Sequence, residues 1–174
     1  MALLVLAFVL PNCTTNDIPP RILIFSKTEG FRHDCIPTAT AALRKLCLTH
    51  GIAVDTTEDA EDFNAKNLRR YNAVVFLCTT GDVLSPAQET DFERYIQAGG
   101  GYVGIHSATD TEYGWTWYGG LVGGYFNGHP AQQNATLRID NHEHPATKHL
   151  PGKEWKRFDE WYNFKNLNPN VKLL

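Results

Sequence analysis

Several histidines of this chain, and carboxylates near them in sequence, fall where loops are expected. The most telling is His106, in the run Gly100-Gly101-Tyr102-Val103-Gly104-Ile105-His106-Ser107-Ala108, which reads as a buried strand entering a tight turn. In doubly wound α/β enzymes a strand-to-helix elbow of this kind holds a nucleophilic Ser or Cys in a strained, exposed position. Here the elbow carries an imidazole, which can exchange a proton near neutral pH or ligate a metal. Ser107 follows the elbow position and does not occupy it, which makes it the weaker candidate nucleophile.

Other residues of the same chemistry are His33, His129 and Glu160. Joined to His106 they would form a two- or three-His plus carboxylate set, suited to a divalent metal such as zinc that activates water. No local spacing such as H-E-x-x-H supports the metal, so an acid/base site without one stands beside it. The run Asp159-Glu160-Trp161-Tyr162 puts two carboxylates and two aromatics in four residues. In an extended backbone Asp159 and Trp161 would face one way, Glu160 and Tyr162 the other. Carboxylates for hydroxyls and aromatic faces for C–H surfaces suit a sugar. The expected assignment is His106, His129 and Glu160 for catalysis, with His33, Asp110, Trp117, Asp159 and Tyr162 contacting substrate. His142 and His144, in a His-Pro turn, read as structural.

These residues need a scaffold, and short apolar runs alternating with amphipathic helices supply one. Strands are expected at Arg21–Ser26, more weakly at Ile52–Val54, and at Ala73–Leu77 and Tyr102–Ile105. Ile36, Ala39, Leu43, Leu46 and Cys47 mark one helical face, with Pro37 in the first turn and Gly51 past the end. Ser85-Pro86-Ala87-Gln88 is a capping box with proline at the first helical position, opening a helix that buries Phe92, Tyr95 and Ile96. The alternation predicts a flavodoxin-like three-layer α/β/α sandwich with a mostly parallel sheet. Such sheets bind ligands beyond the carboxyl ends of their strands. The loops after the first, third and fourth strands would then bring His33, Asp82, His106 and Asp110 to one rim. Further strands are expected at Thr136–Ile139 and within Trp155–Tyr162. Val171–Leu174 looks like the opening of another, which suggests a domain truncated at its C-terminus.

The chain's 174 residues, 43% of them hydrophobic, suit one domain, and a net charge of −3 offers no basic stripe for nucleic acid. A small molecule is the expected partner. Ala2–Leu10 is an apolar run followed by Pro11, Asn12 and Cys13, too short to span a bilayer and similar to a bacterial lipoprotein signal, although a positively charged start is missing. Residues 1–20 are therefore expected to be a signal segment and linker. Lipidation of Cys13 would tether an exported protein to the membrane, with the domain in residues 21–174 in the periplasm. Cys35, Cys47 and Cys78 then remain, an odd number without C-x-x-C spacing, which argues against a disulfide framework.

The ordered set EGFRH (29–33), GGGYVGIHSATD (99–110), GHP (128–130), HPAT (144–147) and DEWY (159–162) resembles the trehalose-utilisation, or ThuA-like, family. The resemblance implies a class I glutamine amidotransferase-like fold and a sugar or sugar derivative as substrate, often in exported bacterial proteins. A working amidotransferase has Cys at the elbow, so His106 argues against thiolate glutaminase chemistry. The alternative to a sugar-acting enzyme is a non-catalytic carbohydrate-binding or interaction module.

Overall fold

A computed structural model describes residues 19–174; the apolar opening and Cys13 lie outside the described residues. Four parallel strands form the central sheet: β1 (Arg21–Phe25), β2 (Ala53–Thr57), β3 (Ala73–Leu77) and β4 (Gly101–Ile105), in the order β2-β1-β3-β4. β1 and β3 read RILIF and AVVFL, nearly all apolar, because strands in the middle of a parallel sheet are covered on both faces. Alternation divides their side chains cleanly. Leu23, Phe25, Val74 and Phe76 join Phe63, Leu68, Phe92 and Tyr118 on one face, and Ile24, Val75 and Leu77 meet Ile36 on the other. These are the two interfaces of a three-layer α/β sandwich.

The second face is closed by α1 (Ile36–Thr49), which has proline in its first turn and is followed by Gly51 at φ +69°. The first face is closed by α2 (Ala65–Leu68) and α3 (Pro86–Gln97), joined by α4 (Thr116–Val122). The capping box at the head of α3 forms: the Gln88 side chain accepts from the Ser85 N–H at 2.8 Å. Two antiparallel pairs follow, β5 (Tyr125–Phe126) with β8 (Phe164–Lys165), and β6 (Gln133–Arg138) with β7 (Glu154–Asp159). No helix among the described residues is long and apolar enough to cross a membrane.

Two segments differ from the sequence reading. β2 runs on through Asp55–Thr57, beyond the expected Ile52–Val54, because every residue of this edge strand pairs in register with β1. Val171–Leu174 forms no strand: the Val171 N–H bonds to the Asn168 carbonyl in a turn, and the Val171 side chain packs over Gly123.

Candidate functional site

The loops at the carboxyl ends of β1, β3 and β4 are stitched to one another by backbone. Glu29 N–H donates to Thr80 O at 2.8 Å, Gly81 N–H to Asp110 O at 2.9 Å, and Glu112 N–H to Gly81 O at 3.1 Å. The Thr80 hydroxyl donates to Phe31 O at 2.9 Å, and the Thr79 and Thr111 hydroxyls meet at 2.9 Å. Gly81, at φ +78°, permits this approach, since a β-carbon there would lie 3.1 Å from that of Glu29. The rim is thus built before any functional side chain is counted.

His106 leaves β4 with φ +55° and opens a 3-10 turn, His106–Thr109. That is the left-handed region, uncommon for a side chain with a β-carbon. The elbow inferred from sequence is present, and it presents the imidazole to the rim. His33, from the β1–α1 loop, packs edge-on to it with ring centroids 4.5 Å apart. Glu160, just after β7, places Oε2 3.5 Å from His106 Nε2 and 4.0 Å from His129 Nε2. Tyr162 has its hydroxyl 3.0 Å from His106 Nε2 and its ring stacked on that of His129. Four separate regions of the chain therefore converge.

His106 Nε2 has a partner in either protonation state. With a proton there it can donate to Glu160; with a lone pair there it accepts from Tyr162, whose phenol is pushed well above its usual pKa by burial and then by the charges of Glu160 and Asp110. A nitrogen supported both ways is suited to moving a proton or to holding a cation. On His129, Nδ1 lies 2.8 Å from Pro130 O, which can only accept, so the proton sits on Nδ1 and Nε2 is left facing Glu160. His33 is held below the ordinary histidine pKa by burial and then by His106, against the opposing pull of Glu160, Asp110 and Asp34. Burial thus favours its neutral form, the one that ligates metals.

His33, His106 and Glu160 each offer a ligand atom, and the three atoms lie within 4.8 Å of one another. Two imidazoles and a carboxylate make the His₂Glu donor set of catalytic zinc centres, which keep a further position open. Ser107 Oγ approaches His33 Nδ1 at 3.4 Å, orienting the ring as outer partners of ligating histidines do. Ser107 itself is fully buried and is placed to support His33 rather than to attack a substrate.

The expected site residues divide accordingly. His33, His106, His129, Glu160 and Tyr162 come together. Asp110 borders them, accepting from the Tyr113 hydroxyl. Asp159 turns aside, bonded to Arg157 and to the Glu160 N–H, and the Trp161 indole donates to Gln133 O, so the expected alternation separates Asp159 and Trp161 from Glu160 and Tyr162. Trp117 stacks on Trp115 and meets the Phe92 ring edge-on, packed against the core. Asp82 lies towards the buried Glu112, whose carboxyl it helps to raise, rather than towards the histidines. His142 and His144 bond backbone within their own loop, as read from sequence. Phe126, whose ring is 4.3 Å from that of Tyr162, and Gln132, which donates to Glu160 Oε1 at 3.2 Å, were not singled out. Their only signal was proximity to Gly128-His129-Pro130. A cavity of about 430 Å³ between α2 and α3, lined by Tyr71, Arg94 and Tyr95 among others, holds none of these groups. The histidine–carboxylate cluster lies on the open rim instead.

Fold and rim together define a parallel α/β domain with a histidine–carboxylate cluster where its strands end. The chain matches the ThuA family, described as trehalose utilisation, over residues 21–174, and it belongs to that family. Two solved structures are similar. A ThuA-like protein from Bacteroides uniformis superimposes with a TM-score of 0.74 at 27% identity, over 90% of this chain and 66% of its own. A ThuA-like protein from Parabacteroides merdae gives a TM-score of 0.69 at 20% identity, over 89% of this chain and 66% of its own, which speaks to the fold alone. This chain thus spans slightly less than two thirds of the length of either. No curated protein matches it in sequence.

Proposed function

We propose that this domain acts on a sugar or sugar derivative at the rim, with His33, His106 and Glu160 holding a divalent cation such as zinc and His129 and Tyr162 addressing the substrate. The observation that carries the reading is the convergence of three potential ligand atoms within 4.8 Å at the carboxyl ends of the strands. A cation held there supplies Lewis acidity towards a hydroxyl or carbonyl oxygen. The protein's own groups do the rest. His129, with its proton on Nδ1, offers Nε2 as a base beside Glu160, the Tyr162 hydroxyl can donate, and the aromatic faces of Tyr162 and Phe126 offer a surface for sugar C–H groups.

The family description, trehalose utilisation, agrees with a sugar substrate. The test is a screen of sugars and sugar derivatives for turnover by the zinc-loaded protein beside His106→Ala. Turnover lost in the variant, with circular dichroism unchanged, supports a catalytic site. Binding without turnover, equal in both proteins, would instead make the domain a carbohydrate-binding module.

A further inference from the structure

Cys35 and Cys78 are separated by 43 residues, yet their sulfurs lie 3.8 Å apart. Cys78 directly follows β3 at φ +52° with 2% of its surface exposed, while Cys35 is exposed at the head of α1. We propose that this pair is a reversible oxidation site, a dithiol that a peroxide converts to a Cys35–Cys78 disulfide, and that the bond repositions His33. The second part rests on the site reading above for its functional meaning, though not for its detection.

The two thiols differ in access, which orders the chemistry. Exposed Cys35 meets the oxidant: its thiol takes one oxygen from the peroxide to become a sulfenic acid, and water (or an alcohol, from an organic peroxide) leaves. The Cys78 sulfur then attacks that sulfur, the S–O bond breaks, and the hydroxyl departs with the Cys78 proton as water. Burial and then the neighbouring Cys35 push Cys78 up to about 12, so it remains a thiol until this second step. Each cysteine is oxidised by one electron and the peroxide is reduced by two.

A disulfide needs its sulfurs about 2.05 Å apart, so they must approach by roughly 1.8 Å. Cys78 is fixed at a buried strand end, its N–H bonded to Ile105 O at 3.2 Å. Movement therefore falls to Cys35. That residue caps α1, and the turn that leads into the helix ties it to His33, since Ile36 N–H donates to His33 O at 3.2 Å and Ala39 N–H to Cys35 O at 2.8 Å. Functional constellations tolerate displacements of only about 0.5 Å. A pull on this turn is enough to change how His33 meets His106.

Two measurements on the full chain test this. The reduced protein is treated with one equivalent of hydrogen peroxide and digested without reductant for mass mapping. The expected product is a linked peptide containing Cys35 and Cys78, lighter than the two thiol peptides by two hydrogen atoms, restored by dithiothreitol, absent in Cys35→Ser and Cys78→Ser, and retained in Cys47→Ser. Sulfinic acid at Cys35, or links between molecules without that peptide, would overturn the site. Imidazole NMR signals then report His33 directly: they should shift between reduced and oxidised protein and stay put when Cys35→Ser is treated with peroxide. Unmoved His33 signals in the oxidised protein would overturn the coupling. Neither readout uses metal or turnover, so failure here is distinct from failure of the proposed function.

Discussion

His106 stands at φ +55°, where glycine is at ease and a β-carbon is not. Holding an ordinary residue there costs on the order of 1 kcal/mol. His106→Gly should therefore abolish zinc binding and turnover while leaving the melting temperature unchanged or higher, a combination that thermal denaturation beside a zinc titration would reveal. His33 makes a pH prediction. Its pKa is lowered, so it stays neutral further into acid than an ordinary histidine, and its imidazole NMR signals followed from pH 8 downwards should move at lower pH than those of a solvated histidine; a transition at or above the ordinary value would contradict this burial. Glu112 titrates in the opposite sense. Its side chain is buried and accepts from the Val83 and Leu84 N–H groups at 2.8 Å, yet desolvation pushes it up from 4.5 to about 7. Between those values the folded state keeps a proton that the unfolded state has released, so the contribution to stability is full below pH 4.5 and is lost as pH rises through 7. Glu112→Gln keeps an acceptor and removes the titration. Urea denaturation should show it gaining on wild type between pH 5 and 8, by at most roughly 3 kcal/mol.

At the level of elements, legibility followed burial. β1 and β3 announce themselves because two covered faces demand unbroken apolar runs, and α3 because its capping box is local. β2 extends past its apolar residues because an edge strand is held by backbone pairing that polar side chains do not disturb. Trp117 looked like a sugar platform by composition, and only the packing of α4 against Phe92 shows where its ring goes. α4 also carries a testable constraint. A β-carbon on Gly119 would lie 2.6 Å from the Tyr125 ring, whose hydroxyl donates to Trp115 O at 2.7 Å and Glu112 O at 3.0 Å. Gly119→Ala should destabilise by about 1–3 kcal/mol through this overpacking, read as a lower urea midpoint.

For the molecule as a whole, the rim joins residues more than a hundred positions apart, and no local spacing in the sequence announces such a site. His33 and His106 could be placed because the strand-end rule for parallel sheets names their loops in advance. His129, Glu160 and Tyr162 arrive from the β5/β8 and β6/β7 region, whose path the sequence pattern does not dictate, so their meeting with His106 becomes visible only in three dimensions. The most direct measurement is metal content and zinc affinity of the purified protein beside His33→Ala, His106→Ala and Glu160→Gln, with circular dichroism to confirm each fold. One bound zinc per chain, lost or greatly weakened in all three variants, is the predicted result. Folded wild-type protein that binds no zinc, or variants that bind it as wild type does, would contradict the site.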